Sequence, residues 1–441
     1  MYEQAKINRI VEILKSGEKH KLQGKLGVEI EHIVVNKVTW DSVTFYQEDG
    51  IETLLKKLSK FGYEPKFEDN YLVGLENEDS VITLEPGGQL EISIRPCSTL
   101  KEIETLYFNF LEQVIPIVEE QNQYLMAIGY HPKSKIKDIP FNPKERYHLM
   151  SEYFLSKGKY AHHMMKGTAA LQVSIDYSDE KDFIKKLRVA YFLSPLLAVI
   201  SDNAPIFEGE IYPKNSLRSL IWENTDSMRC GIIPGVMDKE FGYEEYAKYI
   251  LNVEPIFIIK NDQMIAVHHK KTTEILDEYE LSVEELAHIC TMVFPDVRGK
   301  RYLEIRVGDS LPYPYSFSYI ALIKGLFYNE AALTELYRLS QGVDSNIQQK
   351  NRDAVRQNGL SAMFSATTVS KFLPFLFELA QNGLPEHERH YVQPLEAMIL
   401  SQNNALMLAK EKLLAMGLEG LTSSSLNHYI GGSPGANKSI V

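Results

Sequence analysis

Apolar and polar positions alternate along this chain in two distinct rhythms, and the switches between them mark the elements. Ile7, Ile10, Val11 and Leu14 recur at the spacing of one buried helix face, which predicts a helix over residues 3–15. LGVEIEHIVV and VITLEPGGQLEISI then alternate with period two, around a short helix near Ile51 to Phe61, so both read as half-buried strands. Pro86, Gly87 and Gly88 supply the turn between the two strands of the second stretch. A long helix is expected from Lys101 to Gln121, a connector from Pro132 to Pro143, a strand in TAALQVSIDY and a helix from Asp182 to Ile200. Ser282 and Glu285 form a capping box before LAHICTMVF, which leads into the strand RYLEIRV. Beyond Tyr315 the pattern is helical to about Met416, and the Ser- and Gly-rich tail LTSSSLNHYIGGSPGANKSIV is expected to end in a mobile segment. Residues 205–241 show neither rhythm, and an irregular stretch of that length inside a folded domain is more often functional than incidental.

Splitting four of the strands by parity exposes a shared peculiarity. Val28, Ile30 and His32 oppose Glu29 and Glu31; Leu90, Ile92 and Ile94 oppose Glu91, Ser93 and Arg95, with Glu85 closing the preceding strand. Leu171, Val173 and Ile175 oppose Gln172, Ser174 and Asp176; Leu303, Ile305 and Val307 oppose Glu304 and Arg306. Glutamate is depleted in strands and like charges repel across a ladder, so several on one sheet face need a counter-charge. Divalent magnesium or manganese supplies one, through hard oxygen ligands and bridges to phosphate. A solvated sheet face is the plainer reading of any single strand; four strands repeating the pattern point to a metal and phosphate cleft.

Composition narrows the classes. The 441 residues allow two or three domains or one large one, and 44% hydrophobic with 24% charged residues is a globular balance. A net charge of −12 opposes binding to a phosphate backbone, so no nucleic-acid partner is expected. Cys97, Cys230 and Cys290 lie far apart without a CxxC, which fits a reducing compartment. The charged N-terminus lacks a signal peptide's apolar region, and the run from Tyr191 to Ile200, broken by Ser194 and Pro195, is too short to span a bilayer; a cytoplasmic protein without a membrane is expected. Nucleotide loops of the GxGxxG and Walker types and the GxSxG and HExxH motifs are missing from the sequence. His162 with His163 and His268 with His269 are adjacent pairs, not at metal-ligand spacing, and read as structural or solvated. Arg218 and Arg229 in the irregular stretch have the fork that clamps a carboxylate or phosphate, or are surface arginines; Trp222 beside them packs or binds.

Together, GVEIEHIVV, EPGGQLEISIRP, MMKGTAALQVSIDY, SLRSLIWENTDSMRCGIIPGVMD, FGYEEYAKYIL and FPDVRGKRYLEIRVGD closely resemble the plant-type glutamate–cysteine ligases, the second glutamate–cysteine ligase family, in order from about Gly27 to Tyr328. The resemblance implies an α+β fold of the glutamine-synthetase type, a curved antiparallel sheet forming a funnel with flanking helices. It implies a catalytic domain over 1–330 and a mostly helical region over 331–441 packed on it. Carried over by motif position, it makes Glu29, Glu31, Glu85, Glu91, Gln172 and Glu304 the shell of two or three magnesium ions and puts Arg306, with ATP, at the transferred phosphoryl group. Arg218, Trp222, Thr225 and Arg229 fall to the amino-acid substrate, with Arg229 also catalytic.

The implied reaction is ATP-dependent joining of glutamate to the amine of cysteine in a monomer or homodimer. Another carboxylate–amine ligase of the same fold, a metal-dependent hydrolase and a non-catalytic nucleotide sensor stay open. Two departures stand out: Gly167 occupies the position before Thr168 where the plant enzymes carry arginine, and the plant regulatory cysteines have no counterparts, so no disulfide switch is expected.

Overall fold

The computed structural model describes residues 3–20, 24–238 and 241–429. Its centre is a sheet of nine strands: β1 (Leu26–Asn36), β2 (Glu64–Glu68), β3 (Tyr71–Glu76), β4 (Ser80–Leu84), β5 (Leu90–Cys97), β6 (Gln123–Met126), β7 (Ala170–Ile175), β8 (Val297–Gly299) and β9 (Leu303–Asp309). The order across the sheet is β8-β9-β7-β1-β5-β4-β3-β2, every pair antiparallel, with β6 taking over as partner of β1 from Ile33 to Asn36. The sheet is open at both edges. Strands of alternating polarity that bury one side favour this antiparallel arrangement.

The apolar side carries the core. Val28, Ile30, Leu90, Ile92, Leu171, Val173, Leu303 and Ile305 are all buried, packed with the helices Leu100–Glu120, Glu180–Ile200 and Tyr315–Phe327. Thr99 caps the first of these through a capping box with Glu102. His32 belongs to this side, as its parity predicts. Its ring bonds to the carbonyl of Leu90 and to Tyr107 Oη at 2.8 Å, and burial holds it down to about pKa 4, so it stays neutral.

The helix at 3–15, the hairpin, the long helices and the capping box at Ser282 all form where the pattern puts them. Four features differ. The hairpin β2–β3 is unforeseen, because Glu64–Glu68 is an exposed edge strand whose side chains carry no alternation. The expected connector leads into two unforeseen helices, Glu145–Phe154 and Ala161–Gly167. The stretch 205–241 contains the short helix Leu217–Glu223. The tail is anchored as far as Tyr429 by a 3-10 turn over Gly417–Ser424 and by Asn427, which bonds to Glu119 and to the carbonyl of Gln123; the expected mobile end lies outside the described residues. Among the described residues no helix is long and apolar enough to cross a membrane.

Candidate active site

Register places the polar side chains in rows. Glu29 lies opposite Gln172 on β7 and Ser93 on β5, Glu31 directly opposite Glu91, and Glu304 opposite Ser174. Two carboxylates facing each other across a ladder repel. Burial, followed by Glu91 and Glu304, pushes the Glu29 carboxyl up to about 8. Burial, followed by Glu85 and Glu91, raises Glu31 well above the carboxylate range, and burial with Glu85 raises Glu91 against the hydroxyls of Thr83 and Ser93 that donate to it at 2.9 and 3.1 Å. Without a cation Glu29 holds its proton at neutral pH.

Glu304 is the opposite case. Burial alone would raise it, but Arg298 (2.7 Å), Lys300 (2.7 Å) and Arg306 (2.8 Å) surround its carboxylate and hold it well below its ordinary range. The expected equivalence of Glu304 with the other carboxylates therefore does not describe this arrangement: it is already neutralised by protein cations. Arg298 and Lys300 are residues that the strand-by-strand reading missed, although the alternation of RGKRYLEIR carries them onto the same face.

Glu31 Oε2 accepts from the backbone N–H of Ala170 at 2.8 Å, and Oε1 accepts from Gln172 Nε2 at 3.3 Å, while Gln172 Oε1 receives Arg306 Nη1 at 2.5 Å. Glu85 sits at the tight turn beyond β4, where Gly88 N–H bonds back to its carbonyl at 2.8 Å. Gly87 approaches the next segment so closely that a Cβ would stand 2.6 Å from the carbonyl of Lys166. The buried Lys144, also unforeseen, bonds to the Leu84 carbonyl beside Glu85 and Glu91, and burial lowers its ammonium to about 8.

Among the described residues no three His, Cys, Asp or Glu side chains gather tightly enough to hold a metal ion unaided. Glu29, Glu31 and Glu91 share one sheet face as hard oxygen donors, with Glu85 at its turn, and their mutual repulsion is only partly offset by Arg298, Lys300, Arg218 and Lys144. That donor set fits ions that complete their shells with water and phosphate.

A bulge shapes the other end. Ile305 pairs with Val173 and Gly308 with Leu171, so Arg306 and Val307 both stand opposite Gln172. Val307, expected on the apolar face, consequently lines a small pocket with Arg306, Arg218, Trp222, Phe294 and Asp296. Arg218 donates to the carbonyl of Arg306 at 2.8 Å, and the two guanidinium carbons lie 5.5 and 5.3 Å from the centre of the Trp222 ring. Nε of Arg218 and Nε1 of Trp222 are buried without a hydrogen-bond partner among the described residues, so unsatisfied donors bound this pocket.

Arg229 and Thr225 do not join them. Arg229 is fully buried and directs four hydrogen bonds inward, to Asp226 (2.8 Å), the Met292 carbonyl (2.9 Å), Tyr153 Oη (2.5 Å) and the Glu254 carbonyl (2.6 Å). Of five donors that leaves one, so the expected substrate contact gives way to an internal clamp. Thr225 returns its hydroxyl to the Ile221 carbonyl at 2.9 Å and closes the helix end. Gly167 has a physical reason too: a Cβ there would lie 2.5 Å from the buried Tyr130 ring, so any side chain at this position requires that ring to move. All three cysteines are buried and free.

The model of glutamate-cysteine ligase family 2 matches residues 25–393. The chain is 32% identical over 399 residues to the chloroplastic glutamate–cysteine ligase B of Oryza sativa subsp. japonica, covering 88% of this chain and 80% of that one. It is 31% identical over 384 residues to the chloroplastic glutamate–cysteine ligase of Nicotiana tabacum, covering 85% and 73%. The solved structure of glutamate–cysteine ligase from Francisella tularensis, in complex with AMP, shares the fold at a TM-score of 0.54 and 13% identity over 91% of this chain and 87% of that one. The relatives from rice and tobacco are chloroplastic, which overturns the cytoplasmic location expected from the N-terminal pattern.

Proposed function

The chain belongs to glutamate-cysteine ligase family 2, and from that premise we propose that it joins the γ-carboxylate of L-glutamate to the amine of L-cysteine, with cleavage of ATP to ADP and phosphate. The γ-carboxylate attacks the terminal phosphorus of ATP and gives a γ-glutamyl phosphate; the amine then attacks that acyl carbon and expels phosphate. No enzyme nucleophile is needed. The observation that carries this reading is the meeting, on one sheet face, of a carboxylate row at Glu29, Glu31 and Glu91 with the paired guanidiniums of Arg218 and Arg306.

In this reading Glu29, Glu31, Glu85 and Glu91 would hold magnesium or manganese, which would neutralise phosphate charge; the Gln172 oxygen would join by sharing its bond to Arg306, and Glu304 only by giving up its cations. Arg306, fixed by Gln172 and Glu304, points its charge at the phosphoryl group in flight. Arg218, with a free buried Nε, takes the α-carboxylate of the amino acid while Trp222 supports both guanidiniums. We assign the catalytic portion to 1–330, followed by a mostly helical portion from 331 on, of which the structure describes residues up to 429.

Glutamate labelled with heavy oxygen in its γ-carboxylate tests the route. Label must appear in the released phosphate, and ADP must form only when an acid and an amine are both present. Unlabelled phosphate alongside γ-glutamyl product overturns the acyl phosphate. Phosphate release without an amine would make the protein a hydrolase. ADP formation with a different amine in place of cysteine would reassign the acceptor.

A further inference from the structure

The helix Ser345–Asn358 lies outside the stretch that carries the site's motifs, yet two of its arginines reach the site's supports. Arg352 Nη2 bonds to Asp296 Oδ1 at 2.8 Å, and both side chains are buried. Asp296 in turn is tied by its backbone: its N–H donates to the Gly231 carbonyl at 2.9 Å, and its carbonyl accepts the N–H of Arg306 at 3.0 Å. Gly231, at φ +82°, passes so close that a Cβ would press to 3.3 Å from Arg352 Nη1. One turn further along the helix, Arg356 pairs with Glu223, which also accepts from Gln349 at 2.6 Å. Glu223 ends the helix that carries Arg218 and Trp222. The helix Ser345–Asn358 thus holds the two walls of the pocket by separate bonds, Arg352 on the Arg306 side and Arg356 on the Arg218 side.

Resting on the ligase reading above, we propose that Arg352 is a positioning residue for Arg306, acting through Asp296 to fix the backbone of the β9 bulge. Arg352 lies behind Asp296, in a neighbouring cavity that shares Ser219, Asp296 and Val307 with the pocket of Arg218, Trp222 and Arg306, so its direct bond on that side is to Asp296. Its effect is on where the Arg306 guanidinium stands when charge develops, and displacement of such a group by about an ångström can cost on the order of a hundredfold in rate. Arg356 has a different expected signature, because its wall holds the substrate carboxylate.

Steady-state kinetics of the full chain decide it. Arg352→Met is expected to lower kcat by about ten- to a hundredfold with KM for glutamate and ATP changed by no more than about twofold. Arg352→Lys, which keeps the charge, should recover part of that loss. Arg356→Met should instead raise the glutamate KM with a smaller change in kcat. If Arg352→Met yields no folded protein, Arg352→Lys and Asp296→Asn carry the same test through the same split. Identical kinetic patterns at Arg352 and Arg356, or an unchanged kcat in the Arg352 variants, overturn the proposal. Arg306→Lys separates the two levels: if it too leaves kcat intact, the role of Arg306 itself fails; if it lowers kcat while the Arg352 variants do not, only the positioning role fails.

Discussion

The side-chain oxygen of Gln172 lies 2.5 Å from Nη1 of Arg306, and its amide nitrogen faces Glu31 at 3.3 Å. One neutral side chain on β7 therefore links the cationic end of the cleft to its carboxylate end. Gln172→Met keeps the bulk and removes both bonds. Since a hydrogen bond to a charged group contributes roughly 1.5–3 kcal/mol, kcat is expected to fall by about ten- to a hundredfold with the fold intact. Steady-state kinetics alongside circular dichroism check this.

Glu304 and Glu29 should respond oppositely to the same chemical change. Glu304→Gln removes the shared partner of Arg298, Lys300 and Arg306 and leaves two buried cations and the half-buried Lys300 facing one another. Removing one partner of a buried pair is expected to cost about 3–5 kcal/mol of stability. Glu29→Gln relieves repulsion from Glu91 and Glu304 and should be neutral or stabilising in EDTA. Urea unfolding of both variants without metal distinguishes them, although both should lose activity.

The raised Glu29 carboxyl also sets a pH dependence. Its value is about 8 in the folded protein against 4.5 ordinarily, so the folded state binds the extra proton between those limits. The associated stability is fully present below 4.5 and is lost as pH rises through about 8. In EDTA, wild type should lose more stability than Glu29→Gln between about pH 5 and pH 8, and Mg²⁺ should restore more of it at the higher pH. Parallel unfolding curves for the two proteins across that range would remove the assignment.

Arg229→Lys keeps the charge but loses most of a fork bonded to the Met292 and Glu254 carbonyls and to Tyr153. The expected outcome is a stability loss of about 2–4 kcal/mol with an unchanged KM for glutamate. A raised KM at unchanged melting temperature would instead return Arg229 to the substrate.

The site's rows were legible because a strand has period two: Glu29, Glu31, Glu91, Gln172 and Glu304 could be assigned a face from parity alone. Parity failed at Val307, where the bulge adds a residue and carries the next side chain to the polar side. The inward bonds of Arg229 were not legible, because a guanidinium in an irregular stretch looks the same in sequence whether its donors face a ligand or distant carbonyls such as those of Glu254 and Met292. Arg352 was invisible for a related reason. Its helix reads as an ordinary polar amphipathic segment, and only the tertiary fold brings it to Asp296.

Trp222 offers the most direct view of the pocket. It lies against both Arg218 and Arg306, and the chain has only one other tryptophan, Trp40, which is buried elsewhere with Tyr124. Two like charges on one indole are held by the ring's quadrupole, at roughly 0.5–2 kcal/mol each. Trp222→Leu removes that support and lets the guanidiniums separate. It should lower kcat/KM for glutamate by roughly three- to thirtyfold, whereas Trp222→Phe, which keeps an aromatic face, should lose less. In a Trp40→Phe background the remaining emission comes from Trp222, so an anion that draws Arg218 or Arg306 off the ring must change it. Titration with glutamate and with ATP in the presence of Mg²⁺ is expected to give saturable fluorescence changes. Arg218→Lys should weaken the glutamate response more than the ATP response. Emission indifferent to both ligands, with activity retained, would place the substrate carboxylate and the phosphates away from this pocket and leave Trp222 as a packing residue beside Phe294.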